Sequence, residues 1–183
     1  MKKKPTKSTE SAKLALFELL KVHSFSQITV NDICKEAEIG RSTFYKSFYD
    51  KYDILEAENQ DICQKIKSSL ADLMTMANIT THLQELVEIV KSTRFLQMIE
   101  IEEGTVNLRK QILSLLEDQY IQYYNYKDIA IKWSISYDFA KELFCSAALA
   151  FIETSLNESD PVILEQNQFF LEKIMKQFTL YDE

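Results

Sequence analysis

Two glycines and two prolines among 183 residues are too few for the many tight turns of a sheet protein. They also leave no room for a glycine-rich loop that would cradle a phosphate. Cys34, Cys63 and Cys145 are odd in number, far apart and without C-x-x-C spacing, so neither a disulfide framework nor a zinc site is expected. They read as buried free thiols rather than redox sensors. His23 and His82 stand alone, and no metal or other cofactor is expected. No nucleophile lies beside a base and no carboxylate pair stands out from ordinary helix-surface glutamates, so an enzyme is not expected. There is no apolar run of about 18 residues, and MKKKPTKSTE has no apolar stretch behind its lysines. Neither a membrane span nor a secretory signal is expected, and the chain reads as cytoplasmic.

What is present is a 46% hydrophobic composition rich in Leu, Ile, Lys, Glu and Gln, ample for a packed core. An all-α fold is the expectation. The net charge of −7 is unevenly spread. Residues 1–51 hold ten Lys and Arg against six Asp and Glu, +4, while the remainder holds 11 against 22, −11. A basic end on an acidic body points one face at a polyanion and holds the rest away from it.

That basic end contains Thr29 to Lys51, TVNDICKEAEIGRSTFYKSFYDK. Val30, Ile33, Cys34 and Ala37 fall at i, i+3, i+4 and i+7, one apolar stripe of a helix that Thr29 can cap. Phe44 and Phe48 form a second stripe after Glu38, Ile39 and Gly40, a gap that fits only a sharp helix-to-helix turn. With both phenylalanines turned inward, Arg41, Ser42, Thr43, Tyr45, Lys46 and Ser47 occupy the other sides. A short helix showing cations, hydroxyls and a phenol, with no acid, suits phosphate oxygens and base edges.

Through ITVNDICKEAEIGRSTFYKSFYDKYDIL the chain resembles the TetR family of bacterial transcriptional regulators, whose pattern is T-V-x-x-I-A-x-x-A-G-V-S-x-G-T-F-Y-x-x-F-x-x-K-x-x-L. Most positions agree through roughly Leu14 to Leu55. Three differ: Glu38 stands at the turn glycine, Gly40 at a capping serine and Ser24 at another glycine. Gly for Ser at an N-cap costs a few tenths of a kcal/mol. A non-glycine residue in the left-handed region costs about 1 kcal/mol.

The resemblance implies an N-terminal three-helix helix-turn-helix unit joined to a larger C-terminal helical bundle, about nine helices in all. The expected division is a DNA-binding domain at 1–51, with 1–8 a disordered basic arm, and an effector-binding and dimerisation domain at 52–183. The implied activity is that of a one-component regulator, most often a repressor. It would bind a pseudo-palindromic double-stranded DNA operator as a homodimer and be released by a small-molecule effector. Arg41, Ser42, Tyr45 and Asn31 are placed to meet bases, and Thr29, Thr43, Lys46 and Lys51 to meet phosphates. Lys51 opens the next long helix, whose N-terminal dipole favours phosphate. The alternative is an adaptor or co-activator of this type acting mainly through a protein partner.

Along the rest of the chain, Ser8 or Thr9 can cap a first helix to about Val22. A long helix begins at an Asp50 cap and runs to about Met76, a lever shared by both domains. Helices are expected from about Thr81 to Thr93 and from Thr105 to about Tyr124, with a short helix or loop from Phe95 to Gly104. Tyr120, Tyr123, Tyr124 and Tyr126, with Trp133, Phe95 and Met98, either line a ligand pocket or are ordinary core and surface aromatics. The ligand-binding residues are unknown at this stage. Two last helices, about 137–156 and 162–178, are apolar widely enough to serve as a dimer interface or as internal core.

Overall fold

The computed structural model describes residues 6–74, 79–101, 106–123 and 133–177. Among them are nine α-helices, one turn of 3-10 helix and no strand, as the glycine-poor composition requires. The helices are α1 (Lys7–Leu19), α2 (Val30–Glu36), α3 (Arg41–Phe44), α4 (Lys51–Met74), α5 (Ile79–Val90), α6 (Thr93–Ile99), α7 (Leu108–Tyr123), α8 (Tyr137–Asn157) and α9 (Pro161–Gln177). The 3-10 turn spans Phe25–Gln27, between α1 and α2. The basic residues before Thr6, together with Gly104, Thr105, Tyr124, Tyr126 and Phe178, lie outside the described residues. Among the described residues no helix is long and apolar enough to cross a membrane.

The chain forms two compact units, Met1–Asp61 with Gln97–Leu108, and Ile62–Leu96 with Arg109–Glu183. In the first, α1 packs on α2 and α3, and α2 on α3. The packing is apolar: Ala12, Leu16, Phe25, Ile33, Phe44 and Leu55 are among its buried side chains. Two helices as short as α2 and α3 cannot hold an angle alone, and α1 supplies the area that fixes them. Helix α1 starts earlier than expected, capped by Thr6, whose hydroxyl accepts the Thr9 N–H at 3.3 Å. It ends at Leu19 because Lys21 and Val22 turn their N–H groups to carbonyls three residues back, Glu18 at 3.2 Å and Leu19 at 3.1 Å. The Phe17 carbonyl in that last turn accepts the Gln97 amide at 3.0 Å, from 80 residues along the chain. A helix-end carbonyl is thus satisfied by a side chain rather than by a local cap.

Within the same unit Lys13 is 7% exposed and Glu58 3%, with Lys13 Nζ 2.9 Å from Glu58 Oε1 and 3.1 Å from Asp61 Oδ2. A lysine on the inner face of α1 is tolerated because two carboxylates of α4 meet it.

In the second unit α5, α8 and α9 pack on one another. Helix α5 is already formed at Ile79, ahead of the expected start at Thr81, and α6 follows after a turn at Lys91 and Ser92. Ser136 caps α8 by accepting the Phe139 N–H at 3.2 Å. Helix α8 buries Ala140, Phe144, Cys145, Ala148, Phe151, Ile152 and Ser155 on one side and leaves Phe139 and Leu143 exposed on the other. Of the aromatic tract, Tyr120 is part of the core. Tyr120 is fully buried and its ring lies 5.7 Å from that of Tyr137 and 5.3 Å from that of Phe144. Met98 belongs to the first unit.

Candidate nucleic-acid interface

The turn between α2 and α3 is built entirely from local groups. Thr29 caps α2: its hydroxyl accepts the Asp32 N–H at 3.2 Å, and its own N–H donates to the Asp32 carboxylate at 3.0 Å. These bonds hold the Asp32 carboxyl below its ordinary pKa, the Thr29 hydroxyl first among the causes. At the other end the Ile39 N–H reaches the Cys34 carbonyl at 3.0 Å and the Glu38 N–H reaches that of Lys35 at 3.2 Å. This pair of bonds is the Schellman closure, and it places the intervening residue in the left-handed region.

Glu38 accordingly has φ 52°, the conformation for which glycine is favoured. The other two departures carry no such strain, with φ −68° at Ser24 and −72° at Gly40. A Cβ on Gly40 would come no nearer than 3.8 Å to any of the atoms around it. Glu38→Gly is therefore expected to raise stability by about 1 kcal/mol, and Gly40→Ser to add a few tenths. Urea unfolding of the two variants checks both signs; a destabilising Glu38→Gly would show that the glutamate side chain carries something the turn needs.

Helix α3 is a single α-helical turn, prolonged by bonds from Lys46 to the Thr43 carbonyl, from Ser47 to that of Phe44, and from Phe48 to that of Phe44 at 3.3, 2.9 and 3.0 Å. Phe44 and Phe48 point inward, 1% and 6% exposed. Arg41, Ser42, Tyr45 and Lys46 are exposed, and Thr43 is half-buried. The Arg41 guanidinium lies 6.0 Å from the centre of the Tyr45 ring, one turn away, so the two side chains form one exposed unit. Asn31 is exposed in the first turn of α2.

Two of the expected contacts are otherwise engaged. The Thr29 hydroxyl is held in its cap, where it also donates to the Asp32 carboxylate at 2.6 Å. Lys51 Nζ donates to the Phe25 carbonyl at 2.7 Å, to that of Ile28 at 2.8 Å and to that of Ser26 at 3.3 Å, and sits 4.4 Å from the centre of the Phe25 ring. All three bonds go to the backbone of the 3-10 turn and of Ile28, which caps its end. The start of α4 is also closed by acids, for Asp50 accepts the N–H groups of Tyr52 and Asp53 at 2.8 and 3.1 Å, and Asp53 accepts that of Tyr49. Lys51 thus also holds the backbone that leads into the Thr29 cap.

Sequence reasoning passed over two residues near this surface. Tyr49 is 83% exposed, the most of any large apolar side chain among the described residues. Its signal was an aromatic residue directly after Phe48, out of register with the inward stripe. The Thr9 hydroxyl lies 3.1 Å from that of Ser47, tying α1 to the end of the reading segment, and nothing in the sequence announces that pairing.

A short helix presenting Arg, Ser, Tyr and Lys at the end of a capped helix-turn-helix defines a DNA-binding transcriptional regulator. The sequence model described as bacterial regulatory proteins, tetR family, matches residues 15–57, which cover the site just described. No curated protein matches the chain significantly in sequence. Solved structures share the fold over nearly the whole length. The fatty acid degradation regulator FadR from Bacillus halodurans is 17% identical, with 93% of this chain and 97% of that one covered and a TM-score of 0.59. A TetR transcriptional regulator from Streptococcus agalactiae 2603V is 20% identical, with 92% and 93% covered and a TM-score of 0.61. The TetR family repressor AlkX from Dietzia sp. strain DQ12-45-1b, implicated in biodegradation of n-alkanes, is 17% identical, with 95% and 99% covered and a TM-score of 0.52. Residues 15–57 thus match the helix-turn-helix of the tetR family of bacterial regulatory proteins, and the fold of the whole chain is shared with these solved regulators.

Proposed function

We propose that this regulator is a homodimeric repressor that binds a pseudo-palindromic operator and leaves it when a small molecule enters the second unit. The observation that carries the reading is the set of exposed side chains between Arg41 and Ser47, which holds two cations, hydroxyls and a phenol without an acid. Two copies would enter successive major grooves roughly 34–36 Å apart. Arg41, Ser42, Tyr45 and Asn31 are proposed to read bases, and Thr43 and Lys46 to contact phosphates, while Thr29 and Lys51 shape the turn.

Dimerisation is supported by an uncovered apolar face. On α8 Phe139 is 58% and Leu143 43% exposed, and on α9 Val162, Phe169 and Phe170 are 57%, 58% and 65% exposed. Two neighbouring helices with that much exposed aromatic surface fit a second copy of themselves, helix pair on helix pair. Release has a covalent route, because α4 supplies Lys51–Asp61 to the first unit and its remainder to the second.

The test is a gel shift with DNA from upstream of the chain's own gene, across a salt series. A site-specific, salt-sensitive band supports the reading; its absence favours the protein-partner adaptor. Arg41→Ala is expected to change sequence preference, and Lys46→Ala to weaken all DNA alike and lower the salt slope by about one. Equal loss of specific and nonspecific binding in Arg41→Ala would remove it from the base-reading set. Phe170→Glu is expected to convert the dimer to a monomer in light scattering and to abolish tight operator binding. An effector that frees DNA without changing the spacing of the two reading segments would sink the lever.

A further inference from the structure

Arg41 and Tyr45 stand one helical turn apart in the reading segment, and both are exposed, Tyr45 by 49%. Tyr45 is not a loose side chain. Its ring meets that of Phe44 edge to face, with centres 5.5 Å apart and planes at 86°, and the buried Phe44 ring lies in turn 5.6 Å from that of Phe48. A ring braced edge-on against a core ring has few poses left.

The guanidinium carbon of Arg41 lies 6.0 Å from the centre of the Tyr45 ring, the outer limit at which a ring face holds a cation. The hydroxyl does more of the holding, for hydrogen bonding to Tyr45 stands first among the causes that raise the Arg41 pKa above its ordinary value. No carboxylate is among those causes. Arg41 is thus steadied by a neutral oxygen, which leaves its charge and its other donors for a ligand.

That arrangement selects among the groups of DNA. A phosphate needs only a positive charge, and Lys46, exposed in the next position after Tyr45, supplies one without a fixed geometry. A guanidinium carries donors only, in a planar fork. On the major-groove edges guanine offers two acceptors, O6 and N7, whereas adenine sets an amino donor beside N7, thymine a methyl group beside its one acceptor, and cytosine only a donor. Guanine alone matches both prongs. An arginine that is free to move loses rotamers when it binds, and one already held by Tyr45 loses fewer.

We propose that Arg41 reads one guanine in each half-site through O6 and N7, and that Tyr45 acts through it as a positioning residue, its hydroxyl holding the guanidinium ready for that fork. This rests on the DNA-binding reading above and specifies the base that the site selects. Tyr45 joins the base-reading set by way of Arg41.

The test is selection of bound sites from a randomised duplex library by the purified full chain, followed by competition binding on the selected site. The wild type is expected to fix a G·C pair in each half-site and to disfavour the other bases there about tenfold or more. Arg41→Ala is expected to accept all four bases at that pair. Tyr45→Phe, which removes only the hydroxyl, is expected to lower the discrimination about threefold at that pair and at no other, with the salt slope unchanged. In the Arg41→Ala background the same change is expected to do nothing further. Replacing the guanine with 7-deazaguanine, which lacks the N7 acceptor, is expected to weaken the wild type about tenfold and to leave Arg41→Ala unaffected. Both side chains are exposed, so each variant is expected to melt with the wild type.

A fixed guanine that survives Arg41→Ala, or full affinity for the 7-deazaguanine site, would overturn the guanine contact. Tyr45→Phe without effect at that pair, or with the same effect in the Arg41→Ala background, would overturn the positioning role. An enriched site whose bases do not depend on Arg41 removes this proposal alone. A library that yields no enriched site removes the DNA-binding reading as well.

Discussion

Replacing Lys13 with methionine is expected to destabilise the first unit by about 3–5 kcal/mol, because it strands the Glu58 carboxylate in the core. The pair is 2.9 Å apart, and the two side chains are 8% and 4% exposed. Removing both charges is a different matter. Lys13→Met with Glu58→Leu is expected to recover most of the loss, since two apolar groups of similar shape need no mutual solvation. Urea unfolding followed by far-ultraviolet circular dichroism measures both, and a single-variant loss under about 1 kcal/mol would mean that water screens the pair.

The same pair sets an alkaline limit. Burial by itself would lower the Lys13 pKa, and the Glu58 and Asp61 carboxylates more than reverse this, leaving it above its ordinary 10.5. A group whose pKa is raised by folding adds stability that is present below the unfolded value and lost as the pH rises through the folded one. The wild type is therefore expected to lose stability above about pH 10.5, more steeply than Lys13→Met does. Parallel curves for the two proteins would contradict this.

Lys51→Met is the second large effect, an expected loss of about 2–3 kcal/mol with no change in the salt slope of DNA binding. Its ammonium meets the Phe25 and Ile28 carbonyls at 2.7 and 2.8 Å and that of Ser26 at 3.3 Å. Those carbonyls end the 3-10 turn, and the approach to the Thr29 cap depends on them. Lys51→Arg is expected to restore only part, because a planar guanidinium cannot direct three donors around one point. A flattened salt slope with unchanged stability would instead return Lys51 to the phosphate contacts.

The helix-turn-helix was legible because its signals are local. Thr29, the stripe of Val30, Ile33, Cys34 and Ala37, the inward Phe44 and Phe48, and the Asp50 cap each act within about one or two turns of helix. The Glu38 strain was legible for the same reason: a helix end followed three residues later by another leaves one residue in the left-handed region, whatever its identity. Charged and polar residues were harder. A lysine on a helix carries the same sequence signature whether it faces water, a carboxylate or a carbonyl, so Lys13 and Lys51 gave no sign of their partners. The Gln97 amide finds the Phe17 carbonyl across 80 residues, and no local pattern encodes that. The aromatic tract was left with two readings for a related reason: helical spacing shows that Tyr120 faces inward but not which rings it will meet.

By itself the sequence determined the helical class, the bihelical turn and the uneven charge, and through them the kind of ligand the basic end faces. Each of these follows from period, cap chemistry and sums of charge, which need no knowledge of distant neighbours. Only the tertiary structure showed which carboxylates Lys13 meets and which carbonyls Lys51 meets. It alone buried the Gln119 amide without a partner and left an aromatic face of α8 and α9 uncovered. Burial and partnership are properties of the assembled core, and side chains far apart along the chain settle them jointly.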